Sequence, residues 1–396
     1  MATVTKWAAG LLIAIMAGGA GLAYRSHAVA SQQARIDESL TTARSAFEAG
    51  DATRAVEALR WVVDEAPSED ALALMAQSLE AQQKRDAALD VWQRLAQMNP
   101  ETPFLGEIRL AEAQASVRQR DFIAARQLLQ GVQRDFRGTE AALRAGAGLM
   151  EIEWHEGRLA EARTIGLSIV EDPALPAAEQ DRVAELLGRI NLDMLYSRQP
   201  QEGDEIYTVR SGDAIVRIAS QHGISPELLM RVNGIRDART LSVGHRLKIP
   251  RMSFRLVVDK WNNTLTVYAN DAFFKRYRVR TGTHDYMTPV GSFTIINKKE
   301  NPQWTRPGTN VVIAGGAPEN ELGTRWMAFQ GSQLGIHGTI RPETIGLYSS
   351  QGCVGLLTAD VEELYEYIPV GATLEIKGQQ NPEILRRSQS IAPSGV

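Results

Sequence analysis

The spacing of apolar positions changes several times along the chain, and each change marks a different kind of element. From Trp7 to Tyr24, 18 consecutive positions are uncharged and mostly apolar, preceded by Lys6 and the amino terminus. As a helix, a run of that length just spans a hydrocarbon core of ~30 Å. Arg25, Ser26 and His27 separate it from Ala28-Val29-Ala30, a small-x-small cleavage pattern. Residues 1–30 thus read as a signal or anchor helix. The membrane anchor is preferred, because the run exceeds an ordinary signal-peptide core. Both readings export the body of the protein.

Between residues 36 and 197 the apolar positions recur every three to four residues, as on helix faces. The pattern repeats itself. Ala55, Ala88, Ala125 and Ala162 occupy equivalent places, with separations of 33, 37 and 37 residues. Gly50-Asp51 and Gly157-Arg158 mark polar turns, and Pro67, Pro100 and Pro173 close units. Each unit predicts two helices whose small residue allows close approach. Such units stack into an all-α solenoid that either docks a protein partner or spaces the distal domains from the membrane.

After a polar linker, residues 206–250 predict a small β-α-α-β unit. Tyr207 to Asp213 form a strand and turn, and Ile215, Ile218 and Ala219 give a helix face. Ser225-Pro226 starts a second helix as N-cap and first helical position, carrying Leu228, Leu229 and Val232. Leu241 to Pro250 return as a turn and strand. Residues 253–376 are mostly β. Phe254–Asp259, Thr264–Ala269 and Phe273–Arg280 are strands joined at Asn262-Asn263 and Asn270-Asp271, pairs that tolerate positive φ. Thr358 to Tyr365 predict one short helix and Gly371 to Ile376 a last strand. Residues 377–396 read as a flexible tail.

Composition narrows the chemistry. The chain has 396 residues, 44% hydrophobic, as expected of several globular domains. Its net charge of −4 divides unevenly. Residues 31–200 hold 19 basic and 28 acidic side chains (−9), and residues 201–396 hold 22 and 19 (+3). A balance that small reads as solvated surface, and no basic cluster or aromatic–basic stripe points to nucleic acid. The six histidines are scattered without metal-ligand spacing, so no metal or other cofactor is expected. A single cysteine excludes an intramolecular disulfide.

That cysteine is Cys353, in Ser349-Ser350-Gln351-Gly352-Cys353-Val354, and His337 lies 16 residues upstream in Gly335-Ile336-His337-Gly338-Thr339. A thiolate is the nucleophilic form of cysteine, and an adjacent imidazole generates it near neutral pH. The flanking Gln, Gly and Ser residues do not resemble a core strand that would bury the thiol as a small hydrophobe.

The runs YTVRSGD, GIS, VNGI and VGHRLKIP make residues 206–250 similar to a LysM domain. The resemblance implies binding of N-acetylglucosamine-containing glycans, chiefly peptidoglycan. The sugar would rest between two loops, with Ser211, Gly212, Asp213 and Ile215 on one side and Asn233, Gly234 and Ile235 on the other. The helical units resemble tetratricopeptide repeats, although the second and third lack the usual glycine. Residues 253–376 resemble an L,D-transpeptidase catalytic domain of the YkuD type. The runs TPVGSF, ELGTRWM, IHGT, PETIG and SSQGCV carry that resemblance. It implies a β-sandwich with a lid-like insertion, to which Asn301 to Asn320 would contribute. Cys353 matches the nucleophile and His337 the proton acceptor. Gly338 matches the carbonyl that orients the imidazole, and the amides of Gly352 and Cys353 match the oxyanion donors. Ser350, Arg325, Trp326 and Arg341 are the pocket candidates.

Two positions depart from the family turn. Gln351 replaces a histidine, and Gly355 replaces an arginine that shapes the substrate pocket. Arg341 or Arg325 is the expected substitute for that charge. The combined reading is an exported, envelope-located L,D-transpeptidase acting on peptidoglycan. It would form a Cys acyl-enzyme with a tetrapeptide stem, release D-alanine and make 3-3 cross-links. The alternatives are an L,D-carboxypeptidase, an enzyme attaching proteins to the wall, and a non-catalytic wall-binding scaffold.

Overall fold

The computed structural model of the chain describes residues 29–201, 203–306 and 308–391. The apolar run Trp7–Tyr24, and with it the anchor helix, lies outside the described residues. Among the described residues, no helix is long and apolar enough to cross a membrane.

The chain divides into two compact units between Ile152 and Glu153. The first is all helix: α1 (29–48), α2 (Ala52–Glu65), α3 (Glu69–Ala81), α4 (Arg85–Met98), α5 (Leu105–Arg118), α6 (Phe122–Asp135) and most of α7 (Glu140–His155). Its three marker alanines, Ala55, Ala88 and Ala125, are buried completely or nearly so. Asp51, Ser68 and Asp121 cap α2, α3 and α6 by accepting from the amides of Arg54, Ala71 and Ala124. Such caps satisfy amides that the helix leaves unpaired. After α1 the turn places Gly50 at φ +80°, a left-handed conformation natural for glycine. After α3 and α5 the same conformation falls on Gln83 and Arg120, each at +61°. The turn therefore persists in the two units that lack the glycine.

The second unit begins with the end of α7, followed by α8 (Leu159–Ile169) and α9 (Ala177–Tyr196). Next come β1 (Glu205–Thr208), α10 (Ile215–Gln221), α11 (Pro226–Val232) and β2 (Arg246–Ile249), with β1 and β2 antiparallel. The remaining strands are β3 (Phe254–Asp259), β4 (Thr264–Ala269), β5 (Ala272–Arg278), β6 (Thr281–Gly282), β7 (Gly291–Glu300), β8 (Trp304–Thr305), β9 (Val312–Ile313), β10 (Arg325–Phe329), β11 (Gly335–Gly338), β12 (Tyr348–Ser350), β13 (Val354–Leu356) and β14 (Thr373–Lys377). Helix α12 (Thr358–Tyr367) precedes β14, and α13 (Pro382–Ile391) follows it.

Eight strands form one sheet in the order β13-β11-β10-β7-β14-β3-β4-β5. This corrects the expectation of a sandwich. Two residues past β5, Arg280 bridges Gly355 of β13 through two backbone hydrogen bonds of 2.8 and 2.9 Å. Strand twist thus accumulates until the opposite edges nearly meet. Edge strand β5 is covered by α9. The buried Asn191 amide donates to the carbonyls of Phe273 and Phe274, and its oxygen accepts from Arg163.

One hydrophobic core runs from Ile215, Ile218, Leu228 and Leu247 of the small module through Leu256, Val258 and Met327 of the sheet to Val361 and Leu364 of α12. Each such side chain contributes about 1.5–3 kcal/mol by burial. Polar contacts fix the same junction. Ser225 accepts from Leu228 N–H and donates to the Glu366 carbonyl, and Arg231 pairs with the Glu366 carboxylate. Lys298 on β7 pairs with Glu227 at 3.1 Å and donates to the Tyr365 carbonyl. The expected flexible tail is corrected in part. Residues 382–391 form α13, because Ser388 accepts from Tyr348 N–H, and the Asn381 amide donates to the Tyr348 hydroxyl.

Candidate functional site

Strand pairing assembles the candidate site. Trp326 on β10 pairs with His337 on β11, His337 pairs with Gly355 on β13, and Gly355 pairs with Arg280. Cross-strand partners point to the same face of a sheet, so these four residues form one row. Cys353 precedes Gly355 by two residues and, with the period of two, belongs to the same face. Val361 of α12 packs near Gly338, on the opposite face.

The imidazole is held tightly. His337 is 3% exposed, its Nδ1 lies 2.5 Å from the Gly338 carbonyl, and its ring stacks on Trp326 at 5.8 Å. A proton on Nδ1 donates to that carbonyl and leaves Nε2 as an acceptor. Burial, aided by the Arg280 charge, pushes the His337 pKa down to about 3. Burial pushes the Cys353 thiol up, opposed by the Gly335 amide and by Arg280. At neutral pH the resting pair is therefore a thiol and a neutral imidazole.

The turn before Cys353 is built by its small residues. Gly352 has φ +99°, and a Cβ there would lie 3.2 Å from both Leu334 methyl groups. Ser350 donates its hydroxyl to the Cys353 carbonyl at 2.6 Å, so this pocket candidate braces the turn. Among the described residues, no turn or loop hydrogen bond occupies the amide of Gly352 or Cys353. Both remain free to receive an oxyanion.

The segment 282–290 borders this turn. Gly282 donates its amide to the buried Thr288 hydroxyl, and the Thr288 carbonyl accepts from Lys260. A Cβ on Gly282 would lie 1.9 Å from the Tyr286 carbonyl oxygen, so only glycine admits this loop. Tyr286, Met287 and Val290 are left exposed. Within 301–320, β8 and β9 form a hairpin, and its base is fixed by Asn320 donating to the Pro302 and Ala314 carbonyls.

The other expected pocket residues separate. Trp326 is in the row. Arg325, one residue earlier, faces the opposite way, within 4 Å of Glu300 and Glu362 and over the Tyr365 ring. Arg341 pairs with Glu321 at 2.9 Å. Neither arginine fills the place beside Gly355. Arg280 does: a Cβ on Gly355 would lie 2.5 Å from its Nε and 2.8 Å from its Cγ. Nothing in the basic run Lys275 to Arg280 marks this residue, because the bridge that carries it inward joins positions 75 residues apart.

In the small module, Ser211, Gly212 and Gly234 are exposed and Ile235 is half-buried. Three of the expected glycan-contact side chains are engaged within the module itself. Ile215 is buried in the core. Asp213 accepts from Tyr207 and from the Arg210 amide. Asn233 is used on both ends, bonding Leu229 and Lys248 backbone groups. Alternation and capping account for where these side chains lie. Among the described residues, no group of three or more His, Cys, Asp or Glu side chains is placed to hold a metal ion.

Two family models match the chain. The L,D-transpeptidase catalytic domain (YkuD) matches residues 253–376, and the LysM domain matches residues 207–250. YqjB of Bacillus subtilis (strain 168), named among the L,D-transpeptidases, is 37% identical over 126 residues, covering 31% of this chain and 69% of its own length. YkuD of the same strain, also so named, is 31% identical over 176 residues, covering 43% of this chain and 97% of its own. An L,D-transpeptidase structure from Mycobacterium smegmatis aligns at 16% identity and a TM-score of 0.28, over 35% of this chain and 65% of that one.

Proposed function

The chain belongs to the YkuD family of L,D-transpeptidases, and from that premise we propose that it remodels peptidoglycan through an acyl-enzyme on Cys353. The observation that supports this reading is the single face carrying His337 and Cys353, with Nδ1 committed to the Gly338 carbonyl. His337 Nε2 takes the thiol proton as sulfur attacks the carbonyl of the third residue of a tetrapeptide stem. The Gly352 and Cys353 amides receive the developing oxyanion, an effect worth about 2.7–4 kcal/mol per donor. The imidazole returns its proton to the departing amine of D-alanine. A side-chain amine of a second stem then takes the acyl group, giving a 3-3 cross-link and restoring the thiol.

The LysM domain supplies the glycan-binding partner surface, through the exposed loop at Ser211 and Gly212 and that at Gly234 and Ile235. The paired domains favour a wall-associated protein, and residues 1–30 are read as its membrane anchor. The helical units are read as tetratricopeptide-like, docking a protein or spacing the catalytic half.

The test is incubation of the purified chain with disaccharide-tetrapeptide, followed by mass analysis of protein and products. The expected result is a covalent adduct, D-alanine release and a 3-3 linked dimer, all lost in Cys353→Ala. Release with water as the sole acceptor would make it a carboxypeptidase. No adduct and no release would leave a wall-binding scaffold.

A further inference from the structure

Arg280 is the buried charge that the reaction above does not use. It is 3% exposed, yet its Nε and Nη1 make no hydrogen bond. Two buried guanidinium nitrogens without an acceptor are unfavourable, and an acceptor that arrives with a ligand would satisfy them. Its position says where that ligand lies. Gly355 has no side chain, and the Arg280 side chain folds into the gap this leaves between itself and His337. Arg341, whose charge also acts on it, is already paired with Glu321.

Resting on the transpeptidase reading, we infer that Arg280 is a specificity-determining residue whose free guanidinium N–H groups bind the terminal carboxylate of the acyl donor. The geometry fits that group. Gly355 lies two residues along β13 from Cys353, about 7 Å at strand rise. The carboxylate of the leaving residue lies one residue, about 3.8 Å, beyond the scissile carbonyl. A carbonyl held against Cys353 thus directs that carboxylate toward the row occupied by Arg280. Arginine offers parallel donors matched to a carboxylate, and discrimination against a donor lacking the charge follows. The sign of the local field agrees, since Arg280 disfavours the protonated imidazole and favours anions nearby.

The experiment compares two probes, a tetrapeptide stem with a free terminal carboxylate and its C-terminal amide. Turnover is followed for the wild type, Arg280→Lys and Arg280→Met. The wild type is expected to prefer the free acid in kcat/KM by roughly 10- to 100-fold. Arg280→Met should lose that preference by losing more activity on the acid than on the amide, and Arg280→Lys should retain part of it. Thermal unfolding and alkylation of Cys353 by iodoacetamide accompany each variant. Equal losses on both probes, or an unchanged acid preference in Arg280→Met, would overturn the inference. Binding of both probes to Cys353→Ala separates this from failure of the reaction itself. Tighter binding of the acid that vanishes in Cys353→Ala/Arg280→Met supports the carboxylate contact even without turnover, and equal binding of the two probes overturns it.

Discussion

Restoring a side chain at position 355 is the sharpest test of the packing around the candidate site. Gly355 lies in β13 without a positive φ, so its backbone accepts alanine. In an unobstructed strand, alanine exceeds glycine in stability by about 0.5–1 kcal/mol. Here the added Cβ would sit 2.5, 2.8 and 3.1 Å from Nε, Cγ and Cδ of Arg280. That side chain is enclosed, so it relieves the contact only by displacing its neighbours, at about 1–3 kcal/mol. Gly355→Ala is therefore expected to destabilise the region in the wild type. In an Arg280→Ala background, where those three atoms are gone, it should stabilise. The coupling between the two substitutions is roughly 1–3 kcal/mol, because the strand preference is common to both backgrounds and cancels. A chain with several domains has no single unfolding transition. The assay is therefore native-state hydrogen exchange at the amides of Gly335–Gly338 and Val354–Leu356. If Gly355→Ala changes their opening free energies by the same amount in both backgrounds, within about 0.5 kcal/mol, the contact does not control this position.

Three further outcomes follow from features of the fold. Buried His337 is pushed down to about 3, against 6.5 when free, so as pH falls from 6.5 toward 3 the unfolded chain takes up a proton that the folded chain refuses. Stability then declines with acidity by at most about 5 kcal/mol, at 1.36 kcal/mol per unit. Exchange of the β11 amides against pH should show this slope in the wild type and its loss in His337→Asn; equal slopes would refute it. Gln83→Gly and Arg120→Gly should each stabilise the helical unit by about 1 kcal/mol, because both residues adopt a left-handed φ. Native-state hydrogen exchange of the helical-unit amides checks this, and reduced protection in either variant would count against it. Ser225→Ala removes both the α11 cap and the contact to the Glu366 carbonyl. A loss of about 1–2 kcal/mol is expected in exchange at the Leu228 amide, with no loss predicted if the cap is dispensable.

Local rules made much of this molecule legible in its sequence. Helix spacing located the buried Ala55, Ala88 and Ala125, and Ser225-Pro226 marked the start of α11. Asn263, Asn270 and Asp271 adopt the positive φ that the hairpin turns demand. The motifs also led to His337, whose contact with the Gly338 carbonyl was expected from resemblance. What escaped was set by long-range pairing. Curling of the sheet depends on Arg280 meeting Gly355, and no periodicity within either strand encodes that meeting. Arg325 was misplaced because the choice between faces rests on register: its neighbour Trp326 pairs with His337, which turns Arg325 toward Glu362. Ile215 and Asn233 were read as ligand contacts because family loops carry them, while burial and backbone bonds claim their side chains here.

The junction made by Ser225, Arg231 and Lys298 removes the slack from the small module. With a polymer strand seated in that module, the Cys353 sulfur would stand at a set distance along the strand and at a set angle around it. The protein would then behave as a ruler instead of a leash, sampling only those side branches of the polymer that come round at the matching phase.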